Sequence, residues 1–327
     1  MGENLGLRIS ARPPIVVALG GNAISRVGEE GNIAQQFAHS METASCIAEL
    51  VEQGYHPVIT HGNGPQIGNI LRRVELSVNE VYPLPLHVCV ADSQAGMGYM
   101  ITQCLSNAMR SRGIARQAAT LITRVVVDPD DPAMFRPTKP IGRFIPQPQA
   151  EIFEERYGWH MRDFGTQGKR RVVASPTPLA IVEIDLIRNL VEAGEIMVVA
   201  GGGGVPVCIT SSGEEQGVEC VIDKDRTSAL LAVELGASHL IIATGVEHVS
   251  VNFGTPRSRI LRNETLGDME RFLADGQFPE GTMGPKIEAA IWFLTRSHRP
   301  DAEVIITDLQ NMVSALKGET GTRIRRG

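Results

Sequence analysis

Three lysines stand in company that ordinary surface lysines lack. Lys139 sits between two prolines in "PTKPIG", Lys224 between two aspartates in "VIDKDRT", and Lys286 directly after Gly-Pro in "GTMGPKI". The flanking aspartates keep the Lys224 ammonium protonated and fix its direction. Lys286 opens the apolar run "KIEAAIWFL", which reads as a helix, and a cation at a helix start opposes the helix dipole unless an anion occupies the space ahead of it. Plain readings stand beside these. "DKD" also suits a solvated turn, Lys286 also suits an exposed first-turn position, and "PTKPIG" otherwise looks like a loop.

Glycine is concentrated where such cations would need partners. "ALGGNAI" (Gly20, Gly21, Asn22), "THGNGPQIG" (Gly62, Asn63, Gly64), "AGGGGVP" (Gly201, Gly202, Gly203, Gly204) and the "TGV" after "HLIIAT" each follow a run that reads as a strand. At the carboxyl ends of strands, glycines let backbone N–H groups approach an anion closely. A single cluster is equally the glycine of an ordinary strand-to-helix turn. Four of them point to a phosphate-rich ligand. No GxxxxGK[ST] occurs and "GNGPQIG" lacks the GxGxxG spacing, so the implied site is neither a P-loop nor a dinucleotide fingerprint.

Lysines, glycine loops and a scarcity of candidate bases fit phosphoryl transfer, which needs charge neutralisation and in-line positioning more than covalent help. An acceptor that is already a carboxylate or carbamate needs no general base. His61, beside "GNG", is the one histidine placed to act as a base, yet histidines at strand ends commonly just bond to backbone.

The elements that must hold these groups are short β-branched runs alternating with helical patterns. "IVVAL" precedes a helical pattern from Gln36 to Gln53, and "HPVIT" precedes one from Ser93 to Arg112; "AATLITRVVV", "EIMVVA", "HLIIAT" and "EVIIT" follow. The alternation predicts a three-layer α/β sandwich, a mostly parallel sheet with helices on both faces. From about Asp128 to Pro178 the rhythm breaks: prolines are dense and aromatic residues cluster, which predicts an inserted small subdomain of hairpins and short helices. With 327 residues, 43% of them hydrophobic, the chain reads as a single domain over 1–327. Residues 1–14 are expected to be a flexible extension.

Net charge of −6 gives no basic field for a nucleic-acid backbone, and Arg323, Arg325 and Arg326 read as a short basic tail. The five cysteines lack CxxC or Cys/His spacing, so they read as reduced thiols, and no metal-ligand set is evident. "MGENLGLRISARPP" has no apolar h-region and no segment approaches the ~18 apolar residues of a membrane helix. A cytoplasmic protein with no membrane partner is expected.

In order and spacing, "VVALGGNAI", "THGNGPQIGN", "PTKPIG", "RRVVASPTP", "VVAGGGGVPV", "VIDKDRTSALLA" and "GTMGPKIEAA" resemble carbamate kinase, of the amino-acid kinase superfamily. The resemblance runs from about Ile15 to "ETGTRI". It implies an open αβα sandwich with a protruding subdomain, a homodimer, and reversible transfer between ATP and carbamate giving carbamoyl phosphate and ADP, with Mg²⁺ on the nucleotide, commonly for ATP synthesis. By motif, Lys139 reaches in from the protruding subdomain, Lys224 and Lys286 lie at the transferring phosphoryl group, and Asp225 orients both. Gly20, Gly21, Asn22, Gly62, Asn63 and Gly64 match the loops for phosphoryl group and carbamate, with Gly201, Gly202 and Gly203 continuing that floor. Thr244, Gly245, Met283, Gly284 and Pro285 fall at the nucleotide site. Family members usually carry Thr-Asp-Val where this chain has Thr244, Gly245 and Val246, so an expected aspartate is missing there. Other readings are a different acyl-phosphate-forming amino-acid kinase, whose members generally lack "PTKPIG", and a catalytically weak sensor of carbamoyl phosphate or nucleotide. Parts of the stretch from Val81 to Gln103 are expected to be buried between subunits.

Overall fold

The computed structural model describes residues 12–24, 26, 28–279 and 281–327; most of the N-terminal extension therefore lies outside the described residues. Alternation within the first strand decides the architecture. In Ile15–Leu19, residues Ile15, Val17 and Leu19 enter one apolar cluster and Val16 and Ala18 the other, so the strand is buried on both faces. Helices Ile33–Glu52 and Leu86–Ser111 cover the first face; Lys224–Glu234 and Gly284–Arg296 cover the second.

The central sheet has eight strands in the order Asn263–Thr265, Thr322–Arg325, Glu303–Asp308, His239–Thr244, Ile15–Leu19, Pro57–His61, Ile196–Val198, Ala118–Thr120. Every pairing is parallel except that of Glu303–Asp308 with Thr322–Arg325. The α/β fold class is as expected. A second sheet of four strands, Glu215–Gly217, Val205–Ile209, Arg124–Val127 and Pro178–Ile181, lies beyond it in the chain's topology, and a third joins Lys139–Ile145, Lys169–Val173 and Met161–Asp163. With helix Gln147–Tyr157, this third sheet encloses a core of its own around Ile145, Ala150 and Phe153.

Several local expectations shift. The first helix starts at Ile33 because Asn32 caps it: its side chain accepts from the Gln35 amide, and the Gln35 side chain accepts in return from the Asn32 amide. The long helix starts at Leu86, directly after Pro85, where the Leu86 amide donates to Glu219 Oε1 at 2.7 Å. "AATLITRVVV" is two strands in two sheets. Its break falls at the fully buried Thr123, whose amide donates to Gln94 and whose hydroxyl accepts from the Ala200 amide. "PTKPIG" is no loop: Lys139 begins an edge strand, a place in a sheet where the missing N–H of Pro140 is tolerated. Nor is the C-terminus only a basic tail, since Thr322–Arg325 is a strand of the central sheet and Arg323 is buried on Glu303. No helix of the described residues is long and apolar enough to cross a membrane.

Candidate active site

The glycine turns meet at the carboxyl ends of four neighbouring strands. Gly20 donates its amide to Ala243 O and Gly62 to Leu19 O, which ties the first two turns to each other and to the strand ending at Thr244. Gly21 and Gly64 face open space. Asn22 lies in the short turn Gly21–Ala23, and Asn63 precedes helix Gly64–Ser77, its side-chain amide donating to Ser93 Oγ at 2.7 Å.

Gly201 to Gly203 are places where protein presses close against the backbone. A Cβ on Gly201 would stand 2.3 Å from His61 Nε2, one on Gly202 2.1 Å from Asn63 Nδ2, and one on Gly203 2.4 Å from Ile222 O. Gly202 and Gly203 also have positive φ. This turn is the packed support under His61 and Asn63, and of its residues Gly202 reaches the neighbouring small cavity.

The lysines are joined by one carboxylate. Asp225 is 4% exposed; its Oδ1 accepts from Lys224 Nζ at 2.6 Å and its Oδ2 from Lys286 Nζ at 2.9 Å. Burial pushes the Asp225 carboxyl upward, but the two ammonium groups outweigh it and hold the group below its ordinary value. Burial pushes the Lys224 ammonium down, against the attraction of Asp225, and Lys286 adds to the lowering. Helix Lys224–Glu234 is buried on nearly every side from Thr227 to Ala232, which fixes Asp225 relative to the sheet. Helix Gly284–Arg296 packs beside it and brings in Lys286.

Lys139 arrives from the third sheet. Its Nζ donates to Asp223 Oδ2 at 3.2 Å and to Ile222 O at 3.3 Å. Asp223 in turn caps the Lys224 helix by accepting from the Asp225 amide. Burial would raise the Asp223 carboxyl, yet Lys139, the Asp225 amide and Lys224 hold it at about 2.

Two cavities flank this constellation. The larger, about 820 Å³, is lined by Gly20, Gly21, Thr244, Gly245, Met283 and Lys286, with Asp308 at its far side. Gly284 and Pro285 are not in that lining; they form the first turn of the helix behind it. The smaller, about 190 Å³, is lined by Gly62, Asn63, Gly64, Lys139, Arg170 and Lys224, with Asp223. Lys286 faces one cavity and Lys224 the other, and Asp225 couples them.

His61 is fully enclosed. Burial lowers its imidazole to about 4, with Lys224 adding to the effect and a bond from the ring to Gly62 O opposing it. Neutral at pH 7, it serves as packing. Burial lowers His56 and His239 in the same direction. Because the unfolded chain takes up these protons near 6.5 and the folded chain does not, stability is full above 6.5 and falls as pH drops towards 4. His61 alone accounts for about 3 kcal/mol across that window. Urea unfolding at pH 7, 5.5 and 4.5 is expected to show the decline, with a shallower slope, by about one proton, in His61→Gln.

Residues 13–308 match the amino acid kinase family. The carbamate kinase of Pyrococcus horikoshii is 42% identical over 312 residues, covering 95% of this chain and 98% of that protein. The chain belongs to the carbamate kinases of the amino acid kinase family. The carbamate kinase-like protein YahI of Escherichia coli is 43% identical over 313 residues, again covering 95% and 98%. Carbamate kinase from Giardia lamblia bound to AMP-PNP superposes with a TM-score of 0.91 at 37% identity, covering 97% of this chain and 100% of that one.

Within this carbamate kinase fold, three residues escaped the sequence reading. Asp223 anchors Lys139, Arg170 lines the small cavity, and Asp308 lines the large one. Asp223 had a local signal as the first aspartate of "DKD", and Arg170 opens the quoted "RRVVASPTP"; Asp308 had none.

Proposed function

We propose that the protein transfers a phosphoryl group reversibly between ATP and carbamate, with the nucleotide in the large cavity and carbamate or carbamoyl phosphate in the small one. The observation that carries this reading is the Lys224–Asp225–Lys286 bridge between the two cavities. One ammonium meets the transferring group from each side, and the carboxylate holds both in place before substrate arrives. Lys139, Arg170 and Lys224 outnumber Asp223 in the small cavity, which suits a doubly charged acyl phosphate. Gly21 and Gly64 leave open space where a Cβ would stand, which would let a phosphoryl group come close to the backbone there. The carbamate oxygen attacks as an anion, so no side chain need remove a proton; His61, enclosed and neutral, takes no part.

A cavity of about 190 Å³ is small beside the ~300–1,000 Å³ typical of drug-sized ligands, which favours carbamate over an acetylated amino acid. Among the described residues no group of three or more His, Cys, Asp or Glu is arranged to hold a metal ion, and Asp223 and Asp225 are engaged by lysines. Mg²⁺ would therefore be held by nucleotide phosphates and water, where it supplies charge neutralisation. We place the reaction in the cytoplasm, where its five free cysteines remain reduced. We also infer a homodimer: Val81, Tyr82 and Tyr99 are exposed apolar residues on the long helix and the segment before it, and light scattering at micromolar concentration is expected to give twice the chain mass.

The direct test mixes protein, carbamoyl phosphate, ADP and Mg²⁺ and follows ATP by luminescence, with Lys224→Ala as control. Rapid ATP formation lost in the variant is expected; a folded wild-type protein that makes none refutes the reading. Activity also requires Lys224 to be protonated, and bound phosphate adds counter-charge that raises its lowered pKa. The alkaline limb of kcat/KM, which reports the free enzyme, is therefore expected at lower pH than that of kcat. Coincident limbs would remove Lys224 from the titrating role.

A further inference from the structure

We propose that Asp308 reads the ribose of the nucleotide, on the side of the large cavity where Gly245 presents no side chain. The inference rests on that cavity being the nucleotide site. Thr244 and Asp308 are direct register partners on adjacent parallel strands, so the Asp308 carboxylate emerges at the same edge of the sheet, one strand over from Gly245. Among the described residues that line the cavity it is the only carboxylate.

Its orientation is fixed from one side. Asp308 Oδ1 accepts from the Asn311 amide at 3.0 Å and Oδ2 from Asn311 Nδ2 at 2.8 Å, which leaves acceptor capacity on both oxygens. No lysine or arginine among the described residues pairs with it; Arg26, in the same lining, is engaged by Glu42. A carboxylate with no countercharge in an anion-binding cavity would repel a polyphosphate. It is tolerable only at the end that presents donors.

Position selects the sugar. The phosphate end of the cavity is marked by Gly20, Gly21 and Lys286, and from strand Ile15–Leu19 to strand Glu303–Asp308 there are two strand spacings, about 10 Å. That matches the span from a transferring phosphoryl group to the ribose hydroxyls better than the longer span to the amine of the base. The two carboxylate oxygens suit a vicinal diol, each accepting one O–H.

Equilibrium binding of ADP, 2′-deoxy-ADP and IDP to wild type, Asp308→Ala and Asp308→Asn tests this. Wild type is expected to bind 2′-deoxy-ADP about 10-fold or more weakly than ADP, the effect of a hydrogen bond to a charged acceptor, and Asp308→Ala to reduce that ratio to near one. Asp308→Asn retains the shape and is expected to show an intermediate ratio, which guards against a folding defect in the alanine variant. KM for carbamoyl phosphate should stay unchanged. A wild-type ribose preference that survives in both variants overturns the proposal, as does loss of discrimination between ADP and IDP in place of the ribose effect. Failure of wild type to bind any nucleotide would overturn the reading of the cavity and this inference together.

Discussion

Asp225→Asn is expected to lower turnover by at least about 10³-fold and to destabilise the fold by about 3–5 kcal/mol. Among the described residues the Asp225 carboxylate bonds both ammonium ions, with one on each oxygen. Removing its charge leaves two largely buried cations without the counterion they share, the costly way to break such a pair. One of them must then deprotonate or swing away. Losing a single preorganised donor costs about 10²–10³ in rate, and here one substitution misplaces two that act as a unit. Lost activity could follow merely from lost stability, and a double variant separates the two. Asp225→Asn with Lys224→Met removes one stranded cation, so urea unfolding should show stability largely regained while luminescent ATP formation stays absent. Activity within tenfold of wild type in Asp225→Asn would sink the bridging role.

The three lysines were legible because each is marked by its immediate neighbours: prolines around Lys139, aspartates around Lys224, Gly-Pro before Lys286. The sheet was legible for a similar reason, since strands buried on both faces must be written as continuous apolar runs. What stayed hidden depends on residues far apart in sequence. Lys139 meets Asp223 across 84 positions, and nothing local announces that pairing. "AATLITRVVV" reads as one strand because β-branched propensity is uniform along it; the break comes from Gln94 and Ala200, which claim the polar groups of Thr123. In the four-glycine run, His61, Asn63 and Ile222 approach Gly201 to Gly203 too closely for any Cβ, a constraint set by residues distant in sequence. Glycine marks both a backbone open to a ligand and a backbone pressed against protein. Sequence does not distinguish the two.

Lys139→Ala is expected to separate catalysis from stability more cleanly than any other substitution. Its partner Asp223 and Lys139 itself are both about a quarter exposed as side chains, so solvent partly screens the pair and its loss should cost about 1 kcal/mol or somewhat more, since Asp223 also loses the cation that offsets its burial. Turnover should fall by about 10²–10³, because Lys139 is the one lysine of the three carried by the small third sheet and it faces the acceptor cavity directly. ADP affinity should hold, since Lys139 lines the small cavity and not the large. Asp223→Ala should behave differently: it frees Lys139 but also uncaps helix Lys224–Glu234, adding about 1 kcal/mol of destabilisation. Lys139→Arg is no rescue, because a planar, forked guanidinium cannot occupy the compact site between Asp223 Oδ2 and Ile222 O as a point charge does. The decisive measurement is kcat/KM for carbamoyl phosphate beside the ADP dissociation constant. Equal loss in both would make Lys139 a structural strut; an unchanged kcat/KM would leave the third sheet without a part in the chemistry.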